Sequence, residues 1–397
     1  MFKNRRLSNI IQRAEAQFPI LVLTGPRQSG KTTLLKTLFS EYRYVSLEDP
    51  DVRRFAHEDP RGFIATHGHR VIFDEVQRTP ELFSYLQSKV DEASGAAKYI
   101  LTGSNNFLVM ENVSQSLAGR AGIFHLLPFE QSELLGNFDS LCGIPLGSKS
   151  IRPPAKHEIW ERIWTGFYPR IHAEGLPSHT WLQSYYQTYL ERDVRSLLQV
   201  GDIDSFARFV RLVAGRTGQL VDLSGLGADA GVSHTTAKRW LSVLNTSFVT
   251  FNLRPHFKNF SKRLIKSPKV YFYDSGLLCF LLGIRSVDQL LLHPLRGQIF
   301  ESFVIAEFMK YYHHLGLIPP LTFWRDSSGH EIDLIVEEGG LLWAYEIKSA
   351  QTIASDFLDG LKFWRGLSPE NSQTALIYAG DQSERRTTAE IYSWSQI

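Results

Sequence analysis

The sequence predicts an α/β chain of several domains: a parallel-sheet domain at the amino end, a helical middle, and a second α/β domain at the carboxyl end. Three observations predict it. Residues 1 to about 137 alternate short apolar runs with helical periodicity, the pattern of βα units in a parallel sheet. Residues 157–215 carry aromatic and aliphatic side chains at helical spacing, through WLQSYYQTYLERDVRSLL, the pattern of helices packed on a core. Residues 330–348 alternate apolar and polar positions on both sides of a glycine-containing turn, the pattern of a hairpin.

Composition narrows the class. The 397 residues leave room for two to four domains, and 43% hydrophobic with 21% charged residues is ordinary for a folded soluble chain. A net charge of +2 confines any nucleic-acid surface to a local patch. Cys142 and Cys279 are too few for a disulfide framework or a cysteine zinc site, and they suit a reducing cytoplasm. Lys3, Arg5 and Arg6 precede the helix-like LSNIIQRAEAQ, which lacks the apolar core of a signal peptide. The longest apolar stretch, Val270 to Ile284, is broken by Asp274-Ser275-Gly276, so no membrane span is expected. His67, His69, His313 and His314 form no spaced metal set and read as surface or packing residues.

The first candidate site lies in the amino-terminal domain. Gly25, Pro26, Arg27, Gln28, Ser29, Gly30, Lys31 and Thr32 spell GPRQSGKT, behind the apolar run Ile20-Leu21-Val22-Leu23 and ahead of the helix-like TTLLKTLF that starts at Thr32-Thr33. In that context the string is a phosphate-binding loop. Gly25 and Gly30 let backbone N–H groups converge on phosphates, and the following helix adds the positive end of its dipole. Lys31 is expected to reach the β- and γ-phosphates, and Thr32 to offer its hydroxyl to Mg²⁺. The loop does not choose between ATP and GTP.

A strand running into two acids, Val71-Ile72-Phe73-Asp74-Glu75, supplies the second element and is expected on a neighbouring strand. Asp74 is expected to hold magnesium through a water, and Glu75 to orient and polarise the attacking water. A third strand, Tyr99-Ile100-Leu101, runs into Thr102-Gly103-Ser104-Asn105-Asn106. There Ser104 or Asn105 either senses the γ-phosphate or forms a plain turn. In LAGRAG, Arg120 is either a cation for transition-state charge, in its own or a neighbouring subunit, or a surface arginine.

Punctuation divides the rest. DSLCGIPLGSKSIRPPAK reads as a linker, which gives an ATPase domain over 1–138, a linker over 139–156, a helical region over 157–219, a winged-helix-like domain over 220–284 and a final domain over 285–397. In the winged-helix-like stretch a helix through Leu223, Gly227 and Asp229 meets the turn Gly231-Val232-Ser233, and Ser233 caps HTTAKRWLSVLNTS. Lys238 and Arg239 lie on its exposed face, with His234 and Thr235. RPHFKNFSKRLIKSPK follows with six Lys or Arg and no acid, so Lys258, Lys262 and Arg263 form a basic wing between two strands. Such a patch suits DNA phosphates, and the alternative is a protein-docking surface.

The last domain carries the second candidate site. Pairing Val336 with Leu341 across a turn at Glu337–Gly340 sets Asp333 opposite Ala344. Alternation then brings Asp333, Glu346 and Lys348 to one face, with Glu331 beside them. Glu301, in the helix-like GQIFESFVIAEFMKYY, is placed to complete a carboxylate shell for Mg²⁺ near a phosphodiester. A solvated hairpin with alternating charge gives the same letters.

This arrangement resembles the PD-(D/E)xK nuclease core: an acid on a first helix, then Asp333, then Glu346-x-Lys348 thirteen residues later. The resemblance implies a restriction-endonuclease-like fold, metal binding by Glu301, Asp333 and Glu346, and assistance to the attacking water by Lys348. Ile332 precedes Asp333, so the strict PD dipeptide is absent. Over nearly its full length the chain also resembles a prokaryotic family of AAA-type ATPases, through YVSLEDPDVRRFAHEDP, VIFDEVQRTPELF, ILTGSNNFLVM, SLAGRAGIFHLLPFE, YLERDV, SPKVYFYDSGLL and EIDLIVE…YEIKS. That family joins an N-terminal ATPase, often labelled AAA_14, to a C-terminal domain of unknown function 4143. The resemblance implies ATP binding by Gly25 to Thr33 and a nuclease-like carboxyl-terminal fold. Together the residues and the resemblance lead to an ATP-hydrolysing cytoplasmic protein that couples nucleotide state to DNA binding or cleavage. The competing expectation is an ATP-driven switch that binds DNA or a protein partner without cutting; a homo-oligomer is a further expected partner.

Overall fold

The computed structural model describes residues 3–92, 98–104, 116–136, 138, 158–189, 203–256, 266–368 and 371–397. Asn105, Lys258, Lys262, Arg263 and the linker proposed over 139–156 lie outside them. The chain forms two compact units. The first comprises Met1–Phe129, Thr246–Phe248 and Tyr312–Leu317; the second comprises Glu130–Asn245, Val249–Tyr311 and Ile318–Ile397.

In the first unit five strands, β1 (Ile20–Thr24), β2 (Arg43–Ser46), β3 (Val71–Asp74), β4 (Tyr99–Gly103) and β5 (Ala121–His125), form an all-parallel sheet in the order β2-β3-β4-β1-β5. Every residue of β1, β3 and β4 is buried, as expected for strands covered on both faces. Parity divides them between two cores. Ile20, Val22, Phe73 and Leu101 pack on one side with Phe63, Phe83 and Leu86, whereas Leu21, Leu23, Ile72 and Ile100 pack on the other with Leu7, Ile11, Leu34 and Leu35. One expectation is corrected here. The strand ending in Asp74 does not adjoin β1, because β4 stands between them, with Leu23 and Asp74 both registered on Thr102.

The second unit contains an eight-stranded mixed sheet built from β6 (Thr250–Pro255), β7 (Lys269–Phe272), β8 (Leu321–Arg325), β9 (Glu331–Glu338), β10 (Leu341–Lys348), β11 (Ser372–Tyr378), β12 (Glu384–Arg385) and β13 (Glu390–Ser393). Their order is β12-β13-β11-β10-β9-β8-β6-β7. The sequence assigns β6 and β7 to a separate winged-helix-like domain. The structure joins them to the carboxyl-terminal sheet, where β6 pairs in parallel with β8 through Arg254–Thr322 and Pro255–Phe323. The two helices of the expected helix-turn-helix are present, Leu223–Ala230 and His234–Thr246, and the Ser233 hydroxyl accepts from Thr236 N at 3.1 Å as an N-cap.

The β9–β10 register also differs from expectation. Val336 pairs with Trp343, and Leu341 pairs with Glu338. The connection shrinks to Gly339-Gly340, with φ of 59° and 80°, the left-handed pair that a two-residue hairpin turn requires. The pairing is displaced by two residues, one full side-chain period, so every side chain keeps the face that alternation predicts.

Candidate functional site

The phosphate loop leaves the carboxyl end of β1. At Gly25, φ is 150° and a Cβ would stand 2.1 Å from the Leu126 carbonyl oxygen, so the close backbone approach admits only glycine. Gly30, at φ 94°, opens the helix Lys31–Leu38. Arg5 holds the loop from the amino terminus, donating from Nη1 to Ser29 O at 2.9 Å and from Nη2 to Leu127 O at 2.6 Å.

Lys31 is buried, and its Nζ donates to Gly25 O at 2.9 Å and Pro26 O at 2.8 Å. Burial pulls its pKa down to about 8, against the attraction of Glu75 and Asp74. Thr32 Oγ1 donates to Asp74 Oδ2 at 2.8 Å, which joins the loop to the end of β3. Two oxygen groups held together suit a hard cation such as Mg²⁺. Glu75 follows in the left-handed region, φ 57°, an uncommon conformation for a non-glycine residue and one that clusters at functional sites. Its Oε2 accepts from Gln77 Nε2 at 2.5 Å and Ser104 Oγ at 3.1 Å. Ser104, expected as a phosphate sensor, therefore contacts the acid expected to orient water.

Arg120 sits elsewhere. Its carbonyl accepts from Ile20 N, at the amino end of β1, and its guanidinium chelates Asp91 through Nε–Oδ1 at 2.6 Å and Nη2–Oδ2 at 2.9 Å. Phosphate ligands belong at the opposite, carboxyl end of the parallel strands, so Arg120 does not join the loop of its own chain.

Sequence reasoning missed Tyr44. Its hydroxyl donates to Asp74 Oδ2 at 2.6 Å, while the Lys36 ammonium lies 3.6 Å from its ring centroid. The available signal was strand adjacency, since Tyr44 pairs with Ile72 on β3.

The second site is a face of the carboxyl-terminal sheet. Asp333 Oδ2 accepts from Ile347 N at 2.8 Å, Glu346 pairs with Lys348, and Glu301 comes from the helix Arg296–His314. The acids feel one another. Burial first, with the charge of Asp333 beside it, raises Glu301 to about 7 and Glu346 to about 8, against the pull of Lys269 on the one and Lys348 on the other. Glu346 Oε2 is buried without a hydrogen-bond partner among the described residues, an orphan acceptor that a cation would satisfy. The oxygen donor set fits a hard divalent ion.

Two further residues enter this face from β7. Lys269 Nζ lies 3.1 Å from Glu301 Oε1 and also pairs with Glu331, and the Tyr271 hydroxyl donates to Glu301 Oε1 at 2.5 Å. Burial works against the Lys269 charge, but Glu301, Tyr271, Asp333 and Glu331 outweigh it and hold its pKa well above the ordinary value. Their spacing of two residues on one strand was the legible signal. Lys238 and Arg239 are exposed on the helix His234–Thr246.

Comparison with known proteins agrees with the order of these parts. An AAA domain matches residues 17–135, a domain of unknown function (DUF8612) matches 156–288, and a domain of unknown function (DUF4143) matches 296–397. The uncharacterized protein Rv2008c of Mycobacterium tuberculosis is 32% identical over 357 residues, covering 89% of this chain and 75% of its own. The uncharacterized protein Mb2031c of Mycobacterium bovis gives the same figures, 32% over 357 residues with 89% and 75% covered. Among solved structures, the Walker-type ATPase PABY2304 of Pyrococcus abyssi is similar over 71% of this chain and 96% of its own, at 16% identity and a TM-score of 0.46. The RuvB Holliday junction branch migration motor of Thermotoga maritima is similar over 62% and 87%, at 18% identity and a TM-score of 0.31. With the phosphate loop inside the amino-terminal AAA match, the other two matches following it in order, and a relative 32% identical of which 75% is covered, the chain belongs to the family that joins an N-terminal AAA-type ATPase domain to a C-terminal domain of unknown function 4143.

Proposed function

We propose that the chain binds ATP and hydrolyses it with Mg²⁺ at the phosphate loop, and that nucleotide state governs DNA binding or metal-dependent DNA cleavage by the carboxyl-terminal unit. The Thr32–Asp74 contact carries the first half, because it brings the loop hydroxyl and the strand-end carboxylate to one point with Glu75 next in sequence. Lys31 and the loop amides hold the phosphates, and Thr32 and Asp74 hold the ion. An ion held there would supply charge neutralisation to the phosphates. Glu75 orients the attacking water, and Gln77 and Ser104 fix its carboxylate. Arg120 enters this reading only through a second copy of the chain.

The second half rests on the gathering of Glu301, Asp333, Glu346 and Lys348 on one face, with the orphan oxygen of Glu346. In this reading the acids hold the ion and Lys348 assists a water at a phosphodiester, while Lys238, Arg239 and the basic segment of Lys258, Lys262 and Arg263 bind the DNA backbone. A cytoplasmic location fits the two cysteines, and among the described residues no helix is long and apolar enough to cross a membrane. The competing reading is an ATP-driven switch that binds DNA or a protein without cutting. The buried Lys269 ammonium on Glu301 and Glu331 favours it.

The test is cleavage of duplex, single-stranded and branched DNA with Mg²⁺ or Mn²⁺, with and without ATP, by the native chain and by Glu346→Ala, beside ATP turnover by Lys31→Ala. Cutting lost in Glu346→Ala and turnover lost in Lys31→Ala are expected. Turnover unchanged in Lys31→Ala would sink the ATPase assignment, and no cutting on any substrate would leave the switch.

A further inference from the structure

Lys269 is 3% exposed, yet its ammonium faces two carboxylates from different elements, Glu301 on the helix Arg296–His314 and Glu331 on β9. It also lies 5.5 Å from the centroid of the Phe323 ring, so its stem and head are enclosed on the sheet. Tyr271, two residues along the same strand, donates to the Glu301 oxygen that Lys269 contacts. Arg325 Nη1 takes the other oxygen of Glu331 at 3.2 Å. Two of the acids on this face are therefore already supplied with cations and donors by the chain itself. Consistent with that, no three acids among Glu301, Glu331, Asp333 and Glu346 bring ligand oxygens within 4.8 Å of one another, as a closed metal shell needs.

We propose that Lys269 is a built-in cation that competes with a divalent ion for Glu301 and Glu331, so that metal enters the carboxyl-terminal site only when the lysine lets Glu301 go. The proposal rests on the metal-site reading above but concerns a residue outside the acid-and-lysine set of that reading. The physics is charge exchange. An ammonium is a single charge with three donors, whereas a divalent ion brings twice the charge and draws several oxygens inward. Both satisfy Glu301, but not at the same oxygen, because Lys269 and Tyr271 already donate to Oε1. Asp333 and Glu346 carry no contact to Lys269 at bonding distance among the described residues; Glu346 pairs with Lys348 through Oε1, and its Oε2 is the acceptor left for a cation.

The experiment is Mn²⁺ binding by calorimetry to the full chain without nucleotide, comparing native protein with Lys269→Gln, each with Glu346→Ala as the control that assigns heat to this site. Lys269→Gln is expected to bind Mn²⁺ at least about tenfold more tightly than the native chain. A native chain that binds nothing beside a variant that binds supports the proposal and defeats native cleavage. Binding of equal strength in both overturns the proposal and leaves the metal reading standing; no binding by either folded chain overturns both. Because loss of a buried lysine can unfold the protein, a second measurement uses the native chain alone. The ¹⁵Nζ signal of Lys269, followed during Mg²⁺ titration, is expected to shift or vanish as the ammonium is released. A Lys269 signal that stays unmoved while the native chain binds the ion at this site overturns the proposal.

Discussion

Tyr44 and Thr32 share one acceptor: both donate to Asp74 Oδ2, at 2.6 Å and 2.8 Å. Asp74 Oδ1 meanwhile accepts from Glu75 N at 3.0 Å, so the carboxylate is fixed from three directions. Tyr44 acts through Asp74, which makes it a positioning residue in this reading. Tyr44→Phe should raise the Mg²⁺ concentration needed for half-maximal turnover by about tenfold, the usual scale for a partner of a metal-holding group. Metal-free nucleotide binding should be unchanged. An unaltered Mg²⁺ dependence would reduce Tyr44 to packing.

Glu75 is held by Gln77 and Ser104. On the proposed role of Glu75 in polarising water, Glu75→Gln removes the charge and keeps the shape, so single-turnover hydrolysis should slow by about 10²-fold or more while ATP affinity is retained. Equal losses of affinity and rate would instead mark Glu75 as part of the binding contacts.

Lys31 gives a pH dependence whose sign follows from its burial. Its pKa stands at about 8 in the free chain, and phosphates favour the ammonium, so binding raises it. Below that value the lysine is charged in both states and affinity is level. Above it the free lysine has lost its proton and binding must restore it, so Kd should rise by up to about tenfold per pH unit. Calorimetry in buffers of different ionisation heat should show proton uptake at about pH 9 and little at about pH 7. Uptake that persists in Lys31→Ala would refute the assignment.

Asp274 is buried and accepts from Phe167 N at 2.7 Å and Leu277 N at 2.8 Å, capping the helix Ser275–Leu281 and tying it to the helical region. Asp274→Ala leaves both donors unpaired, at a cost of about 2–4 kcal/mol in unfolding free energy. Urea unfolding of the second unit's tryptophan signal measures it; a loss under about 0.5 kcal/mol would mean that water replaces the carboxylate.

Lys238 and Arg239, changed together to Ala, should lower the slope of log affinity against log salt for DNA by about two. An unchanged slope would turn this helix toward a protein partner.

Much of both sites was legible because their signals are local. GPRQSGKT carries its own turn and helix start, and two acids at a strand end mark the carboxyl edge of a sheet. Face assignment survived even where register did not. Asp333, Glu346 and Lys348 needed only parity, and a displacement of two residues preserves it. The register itself followed from Gly339-Gly340, a turn chemistry the longer expected loop overlooked.

The sequence by itself determined the phosphate loop and the acid-bearing face of the hairpin, since each depends on neighbours within a few residues, and the parallel character of the first sheet through its alternation of strands and helices. Only the tertiary structure decided that β4 separates Asp74 from β1, that Tyr44 reaches Asp74, that Arg120 binds Asp91, and that Lys269 and Tyr271 belong to the Glu301 site rather than to a separate wing. Those facts are pairings between segments far apart in the chain. They are fixed by which strands share backbone hydrogen bonds and which buried charges find partners, and no local periodicity encodes that choice.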